Sequence, residues 1–526
     1  MLRITDDNRR WWTLIGACIG LFLLFLDSTA VTLALPDVQR ELGVSDETLQ
    51  WMINGYLLTI LVLVIPAGRL GDISGRRRVY FAGLIAFALG SLVTAAAQGD
   101  AALIGGRLVQ GVGAGSMLTL SLAIVSNAFS AAERPRALGI WTAVSAIALG
   151  IGPLLGGAVV EALSWRWIFG VNPPLAALSI AILIASTRET RDETAPRRLD
   201  YPGIALATVG LTAIVLALVQ SGAWGLGSAL TLGLIAGGFA VLAVFWVVEG
   251  RVDAPMVDFE LFRNGPYFGA AAAAFVVVGC WWAVVFFIPQ YIQNVLDDSA
   301  FVSGLLILPA TLPMIAISPF TGRLMSAFGA RAVMTAGVAL VGIGMFLMTR
   351  ITADSGYPLL GAAMFVFGIG LGFVYGPMST AAMSAMPRAK AGIAAGVFGM
   401  TRFMAGALGL ALVGAVFHEL ENDKQDELIA DRVVSPDERG ELDGLLAGSD
   451  AAHRALAGLA PEVQRRVEDA VTEAFTFAFA RSFWLLVGLA VVGTVVTWLL
   501  VRSPGPPQAP GDDPAPDHVR HRQFHL

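Results

Sequence analysis

Fourteen runs of apolar residues follow one another along the chain, separated by short polar breaks. To within a few residues they cover 12–34, 50–68, 79–97, 102–126, 138–161, 168–187, 202–220, 228–248, 267–288, 302–321, 332–350, 358–378, 392–416 and 475–501. Each approaches the ~20 residues that a helix needs to cross a bilayer. The alternating pattern of a membrane β-barrel is absent, so the expected class is an all-α polytopic membrane protein. The breaks differ sharply in basic residues. One set holds Arg69 and Arg76–Arg78, Arg134 and Arg136, and Arg188, Arg191, Arg197 and Arg198. It continues with Arg251 and Arg263, Arg323 and Arg331, and Arg388 and Lys390. The short breaks of the other set offer only Arg40, Arg166 and Arg350. The positive-inside rule therefore places both termini in the cytoplasm, which agrees with an even number of crossings.

An internal echo organises the runs. Gly68-Arg69-Leu70-Gly71-Asp72-Ile73-Ser74-Gly75-Arg76-Arg77 returns as Gly322-Arg323-Leu324-Met325-Ser326-Ala327-Phe328-Gly329-Ala330-Arg331, with Ser326 in place of the acid. Each copy follows the second run of a six-run unit, the arrangement of transporters that bind cargo between repeated halves. The expected domains are an N-terminal six-helix bundle (1–200) and a C-terminal one (263–501). Residues 201–262 supply two additional helices and a cytoplasmic linker, Pro255 to Phe262. One non-membrane segment is long, 418–473; it is rich in acids and is expected outside as a loop with short helices. Pro461 could start a helix running through Glu462–Arg466 into the last span. The tail 502–526, rich in Pro and Asp, reads as disordered; no rigid frame there holds His518, His521 and His525 as metal ligands.

Composition narrows the classes. The 526 residues are 56% hydrophobic, with mean hydropathy +0.71 and net charge −6. Acids concentrate in loops, and no nucleic-acid partner is expected. Cys18 and Cys280 both lie in apolar runs and imply no disulfide framework. The first run is followed by Pro36 and acids rather than a small-residue cleavage site, so no cleavable signal peptide is expected. Lysine occurs only at Lys390 and Lys424; with the Ala/Gly usage this hints at a GC-rich bacterium. No phosphate-binding Walker loop, His-Glu-x-x-His pattern or signalling domain is present, so the chain is not expected to be an enzyme. A non-transporting membrane sensor is a remote alternative.

Two opposite charges stand inside apolar runs. Asp27 is ~22 Å in from Arg9/Arg10 and Arg107 ~10 Å in from Asp100 at 1.5 Å per residue. In a ~30 Å hydrocarbon core both fall at similar depth in the outer third. Buried charges in a membrane mark a functional site by default. Two readings are open: a structural ion pair, or a proton-coupling carboxylate held by a cation. Gln110, one turn from Arg107 on the same face, could bond to Asp27 or to cargo. A further buried charge, Arg402, could bind an anionic group, pair across the bundle or serve as a structural cation.

With these motifs the chain resembles the major facilitator superfamily, in its fourteen-helix drug:proton antiporter branch. Leu26-Asp27-Ser28-Thr29 through Ala34-Leu35-Pro36 looks like that branch's first-span signature, with Thr32 where Asn is frequent. Gly68, Asp72, Gly75, Arg76 and Arg77 match the superfamily's cytoplasmic gating motif, with Ile73 where a basic residue is frequent. Arg107 to Ala114 resembles the segment whose buried Arg supports proton transfer. Gly150, Gly152, Pro153, Gly156 and Gly157 match the antiporter motif of exporters; physically, Pro153 removes a helical donor and the glycines allow close helix approach. Trp165-Arg166-Trp167 and Asn172-Pro173-Pro174 also look like this branch.

The resemblance implies proton-coupled efflux of lipophilic drugs by alternating access. Export of one endogenous lipid or secondary metabolite is the alternative. No cofactor is expected, protons being the coupling ion. Expected partners are small lipophilic substrates and the bilayer, with a monomer sufficient, in a bacterial inner (plasma) membrane. Cavity candidates are Trp51, Asn54, Tyr56, Trp281, Trp282, Phe286, Phe373, Tyr375, Met378 and Arg402, because aromatic and sulfur-containing walls adapt to varied apolar ligands. Only one carboxylate is deep, with Glu161 and Glu249 near span ends. That favours monocationic or neutral cargo over dications.

Overall fold

The computed structural model describes residues 5, 8–130, 133–191, 200–252, 255, 257–353, 355–386, 391–430 and 461–501. Among them the chain is helical throughout, with no strand. The first bundle contains α1 (Arg9–Leu42), α2 (Asp46–Ser74), α3 (Arg76–Ala95), α4 (Asp100–Ala128), α5 (Arg134–Ala162), α6 (Arg166–Gly170) and α7 (Asn172–Ser186). Then come α8 (Tyr201–Val219), α9 (Ser221–Trp224) and α10 (Ala229–Glu249). The second bundle contains α11 (Gly265–Gln290), α12 (Ala300–Leu306), α13 (Leu308–Ile317), α14 (Thr321–Met348), α15 (Gly356–Ser384), α16 (Ala391–Ala430) and α17 (Pro461–Leu500).

Local chemistry sets the helix ends. Gly43 takes a left-handed conformation (φ 62°) after α1. Ser45 caps α2, accepting from the Thr48 N–H, with Asp46 and Glu47 in the first turn where the helix dipole favours them. Asp200, Ser228 and Asn264 cap α8, α10 and α11 in the same way. Thirteen helices among the described residues are long and apolar enough to cross a membrane. The longest, Leu308–Met348, is broken at Gly329 (φ 79°, ψ 152°) and carries both the tenth and eleventh apolar runs. The chain is a multi-pass membrane protein.

Helix α11 is the most enclosed, with 89% of its apolar window buried, while α10 has only 17% buried. α11 thus sits centrally and α10 at the periphery. The α8–α10 pair leans on α2 and α16, beside the seam between the bundles. Across that seam α2 packs on α16, α5 on α12 and α13, and α1 on α11.

The 418–473 segment is not loop at its start: residues 418–430 continue α16. At its end the helix expected from Pro461 is present and runs through 461–473 into α17. No Gly or Pro interrupts His418 to Ala430, and Lys424 pairs with Glu427 one turn on, at 2.9 Å. A helix therefore runs on past the apolar stretch. Residues 431–460 and the tail lie outside the described residues.

The internal echo has a matching geometry. Gly75 (φ 113°) and Gly329 (φ 79°) occupy the same offset, and both adopt backbone that L side chains avoid. Two residues on, Arg77 donates to the Thr187 carbonyl (2.7 Å) and Arg331 to the Val501 carbonyl (2.8 Å). In each bundle an arginine thus binds the backbone at the end of that bundle's last long helix.

Candidate functional site

Asp27, Arg107 and Gln110 come together in a closed polar cluster, all at most 2% exposed. Arg107 Nη1 donates to Asp27 Oδ2 at 2.5 Å and to Gln110 Oε1 at 3.0 Å. Gln110 Nε2 donates to Asp27 Oδ1 at 3.1 Å. The Arg107 Nε–H reaches the Met52 carbonyl at 2.8 Å, and the guanidinium lies 4.1 Å from the Tyr56 ring centroid. Two members escaped the sequence reading. Asn172 Nδ2 donates to Asp27 Oδ1 at 3.0 Å and contacts Ser91 Oγ at 3.1 Å. Gln110 Nε2 also reaches Ser91 Oγ, at 2.7 Å. Both carboxylate oxygens are thus occupied by donors from α4 and α7. Such a pair is held by charge-assisted bonds where water cannot compete. One atom is left over: Arg107 Nη2 is buried without a partner.

The glycines of α5 place it between the bundles. A Cβ on Gly156 would lie 2.6 Å from the Ala30 carbonyl oxygen and 2.7 Å from the Ala30 Cα. A Cβ on Gly152 would meet Thr29 Oγ1. Facing the other bundle, a Gly157 Cβ would stand 2.9 Å from the Ala300 carbonyl carbon, and a Gly150 Cβ 3.1 Å from Ile315 Cγ1. Gly304 returns the fit against the Pro153 carbonyl, at 2.8 Å. Helix α5 therefore meets α1 on one side and α12 on the other at backbone distance, and α13 through the Ile315 side chain.

At the face that carries Arg9, the Gly68–Arg77 loop is tied within its own bundle. Asp72 accepts from Arg76 Nε (2.9 Å) and Nη2 (2.7 Å). The start of α3 is capped from a distance: Glu189 accepts from the Arg77 and Arg78 N–H groups at 2.9 and 3.2 Å. A Cβ on Gly75 would strike that carboxylate, 2.7 Å from Glu189 Cδ, and a Gly68 Cβ would lie 2.8 Å from Thr119 Cγ2.

The cavity candidates divide. Tyr56 belongs to the Arg107 cluster. Asn54 is fully buried with both amide atoms unpartnered, and Trp281 Nε1 and Arg402 Nε are also buried without a partner. Arg402 bonds to the Tyr375 hydroxyl and lies 4.7 Å from that ring's centroid. Among the described residues no carboxylate pairs with it. Trp281 stacks on Phe367, and Phe286 packs edge-on against Phe287. Trp282 covers Gly406. Met378 is buried; Trp51, Phe373 and Tyr375 are half-buried. A groove of 720 Å³ runs instead between α13 and α15, lined by residues such as Leu312, Pro313, Tyr357 and Phe365, and none of the candidates lines it.

At the opposite face, which carries Gly43, side chains join the bundles. Ser299 Oγ and the Phe301 N–H donate to Glu161 Oε2 at 2.5 and 3.2 Å. Gln293 Nε2 donates to the Leu33 carbonyl at 3.4 Å, and Gln50 meets His418 at 2.6 Å.

The chain is similar to several known proteins. The Multidrug resistance protein Stp of Mycobacterium tuberculosis is 34% identical over 87% of this chain and 84% of its own length. The Cephamycin export protein CmcT of Amycolatopsis lactamdurans is 36% identical over 78% of this chain and 86% of its own. A bacterial homolog to the human lysosomal transporter Spinster, of solved structure, has the same fold with a TM-score of 0.61 at 13% identity, covering 94% of this chain and 99% of that one. The family model of the Major Facilitator Superfamily matches residues 17–410. Family, relatives and fold agree that these are transporters, and the chain belongs to the Major Facilitator Superfamily.

Proposed function

We propose that this chain is a proton-driven exporter of lipophilic, monocationic or neutral drugs, working by alternating access in the bacterial inner membrane. It acts as a monomer, without cofactor and without enzymatic chemistry, in the fourteen-helix antiporter branch; the break at Gly329 supports that count. The observation that carries the reading is the fully buried Asp27–Arg107 pair with Gln110, Ser91 and Asn172 around it. A carboxylate so held is a two-state element. Ionised, it accepts from Arg107, Gln110 and Asn172; protonated, it releases part of that ring and leaves Arg107 to Met52 and Gln110. Each proton thus shifts the balance between two arrangements of α1, α4 and α7. Helix α5, in backbone contact with α1, passes the shift to the other bundle. With the Gly43 face taken as external, the seam is shut outside, and cargo enters from the cytoplasmic side. Asp27 takes its proton when the site opens outward, which helps to release cargo, and loses it inward.

A second reading, export of one endogenous metabolite, is favoured by the relative whose name is a cephamycin export protein. Proteoliposomes test both. A pH gradient is imposed, a lipophilic monocation is added, and internal pH is followed for wild type and Asp27→Asn. Substrate-triggered proton flux in wild type, lost in the variant, is the expected result. Flux kept in the variant makes Asp27 structural. Wild type that answers no cation turns the balance to a metabolite cargo.

A further inference from the structure

Beside the seam at the Gly43 face, well away from Asp27, stands a second cluster with no part in the mechanism above. Asp46 comes from the first turn of α2, and His418 and Glu421 from α16. One ligating atom of each lies within 4.8 Å of the others. His418 is 8% and Glu421 4% exposed. His418 Nδ1 is 3.3 Å from Glu421 Oε2. Glu47 stands close by, its Oε1 as near to Gly222 as the His418 Cβ is. Glu419, next to His418 in sequence, is engaged by the Leu226 N–H. The site therefore gathers carboxylates around a single imidazole, with Gln39 donating to Asp46 at 2.7 Å. No arginine or lysine pairs with it among the described residues.

Gln50 adds an independent sign. It is fully buried, its Nε2 lies 2.6 Å from His418 Nε2, and its Oε1 has no partner. Turning the amide over exchanges two atoms of nearly equal size. The oxygen then accepts from His418 Nε2–H, and the Nδ1 lone pair is left on the side of Glu421, whose Oε2 lies 3.3 Å away. Metal-binding histidines are oriented in this way: the ring N–H away from the metal is held by an acceptor. One imidazole nitrogen and two carboxylate oxygens suit Zn²⁺, at ~2.0–2.2 Å per ligand, with a fourth position for water.

We propose that Asp46, His418 and Glu421 form a Zn²⁺-class divalent cation site that ties α2 to α16, with Gln50 positioning His418. Binding would clasp the two bundles together at the Gly43 face. The site itself does not depend on the transport reading; a slowing of export by Zn²⁺ does.

The test uses purified, metal-free, full-length protein in detergent, titrated with Zn²⁺ by calorimetry alongside thermal unfolding. Wild type is expected to bind saturably at micromolar Zn²⁺ or below, with a raised unfolding temperature. Asp46→Asn and Glu421→Gln, which preserve side-chain shape, should each weaken binding at least tenfold, and His418→Ala should abolish it. Gln50→Leu should weaken it about 10–100-fold, because His418 loses the partner that orients its ring. Binding must persist when His518, His521 and His525 of the tail are all replaced by Asn. Absence of saturable binding in wild type, or binding unchanged in Asp46→Asn and Glu421→Gln, overturns the site. A stability that responds to pH through His418 but not to Zn²⁺ also overturns it, in favour of a proton-bridged pair.

Discussion

A buried ion pair is worth most when one considers losing half of it. Arg107→Ala would leave Asp27 as an uncompensated charge with only Gln110 and Asn172 as donors, a loss of about 3–5 kcal/mol for such sites. Asp27→Asn in the same chain removes the orphaned charge. The expected result is a marked drop in unfolding temperature for Arg107→Ala in detergent, and partial recovery in the double variant. Equal unfolding temperatures for the two would deny that the pair is held by charge. Asn172 acts by position. Asn172→Ala frees one site on Asp27 Oδ1 and one on Ser91. Bonds to charged groups contribute about 1.5–3 kcal/mol, so coupled proton flux should fall roughly 10–100-fold while the protein still folds. Unchanged flux at unchanged expression would remove Asn172 from the coupling set. Sequence made Asp27 and Arg107 legible because a charge in an apolar run stands out. Ser91 and Asn172 are small neutral groups that occur in any helix, and nothing in their own runs marks them; only the Asn-Pro-Pro turn drew notice to one of them.

At the scale of the element, α5 is a test of whether glycine spacing reports contact or mere flexibility. Gly156→Val would drive a branched side chain into the Ala30 backbone, 2.6 Å from its carbonyl oxygen. Backbone cannot retreat as a flexible side chain can, so an overpacking cost of about 1–3 kcal/mol or more follows. Gly105, in α4, has nothing within 4 Å of its Cβ position. Gly105→Ala should therefore be neutral or gain up to about 1 kcal/mol of helix propensity. Thermal unfolding and efflux measured on both variants separate the cases: loss for Gly156→Val alone is expected, and equal behaviour would mean that the glycines carry no close packing. The motif was legible as a spacing, while its two-sided fit against Ala30 and Ala300 was not, since sequence does not say which helices meet. The reach of α16 to Ala430 was missed for a different reason. A hydropathy run ends where polarity begins, but a helix ends only where its backbone must turn, and Glu419–Leu428 contains nothing that turns it.

For the whole molecule the question is which contacts hold the seam shut at the Gly43 face. The apolar runs marked the helices, yet contacts between bundles belong to a conformation and leave little trace in composition. Glu161 is such a contact. Its Oε2 joins α5 to α12 by accepting from Ser299 Oγ and the Phe301 N–H. These bonds exist only while the two helix ends are together, so they count wholly toward the closed state. Because they are exposed, each contributes at the low end of the range, about 0.5–1.5 kcal/mol. Glu161→Ala is then expected to move the closed–open balance about tenfold toward opening at this face, since 1.4 kcal/mol is a factor of ten. Thiol labelling of a cysteine at Gln290, buried beneath this face, should speed up by about that factor in Glu161→Ala. A labelling rate that does not change would show that Glu161 only caps α12, and that the seam is held by the α5 glycine contacts and the Gln293 and Gln50 bonds without it.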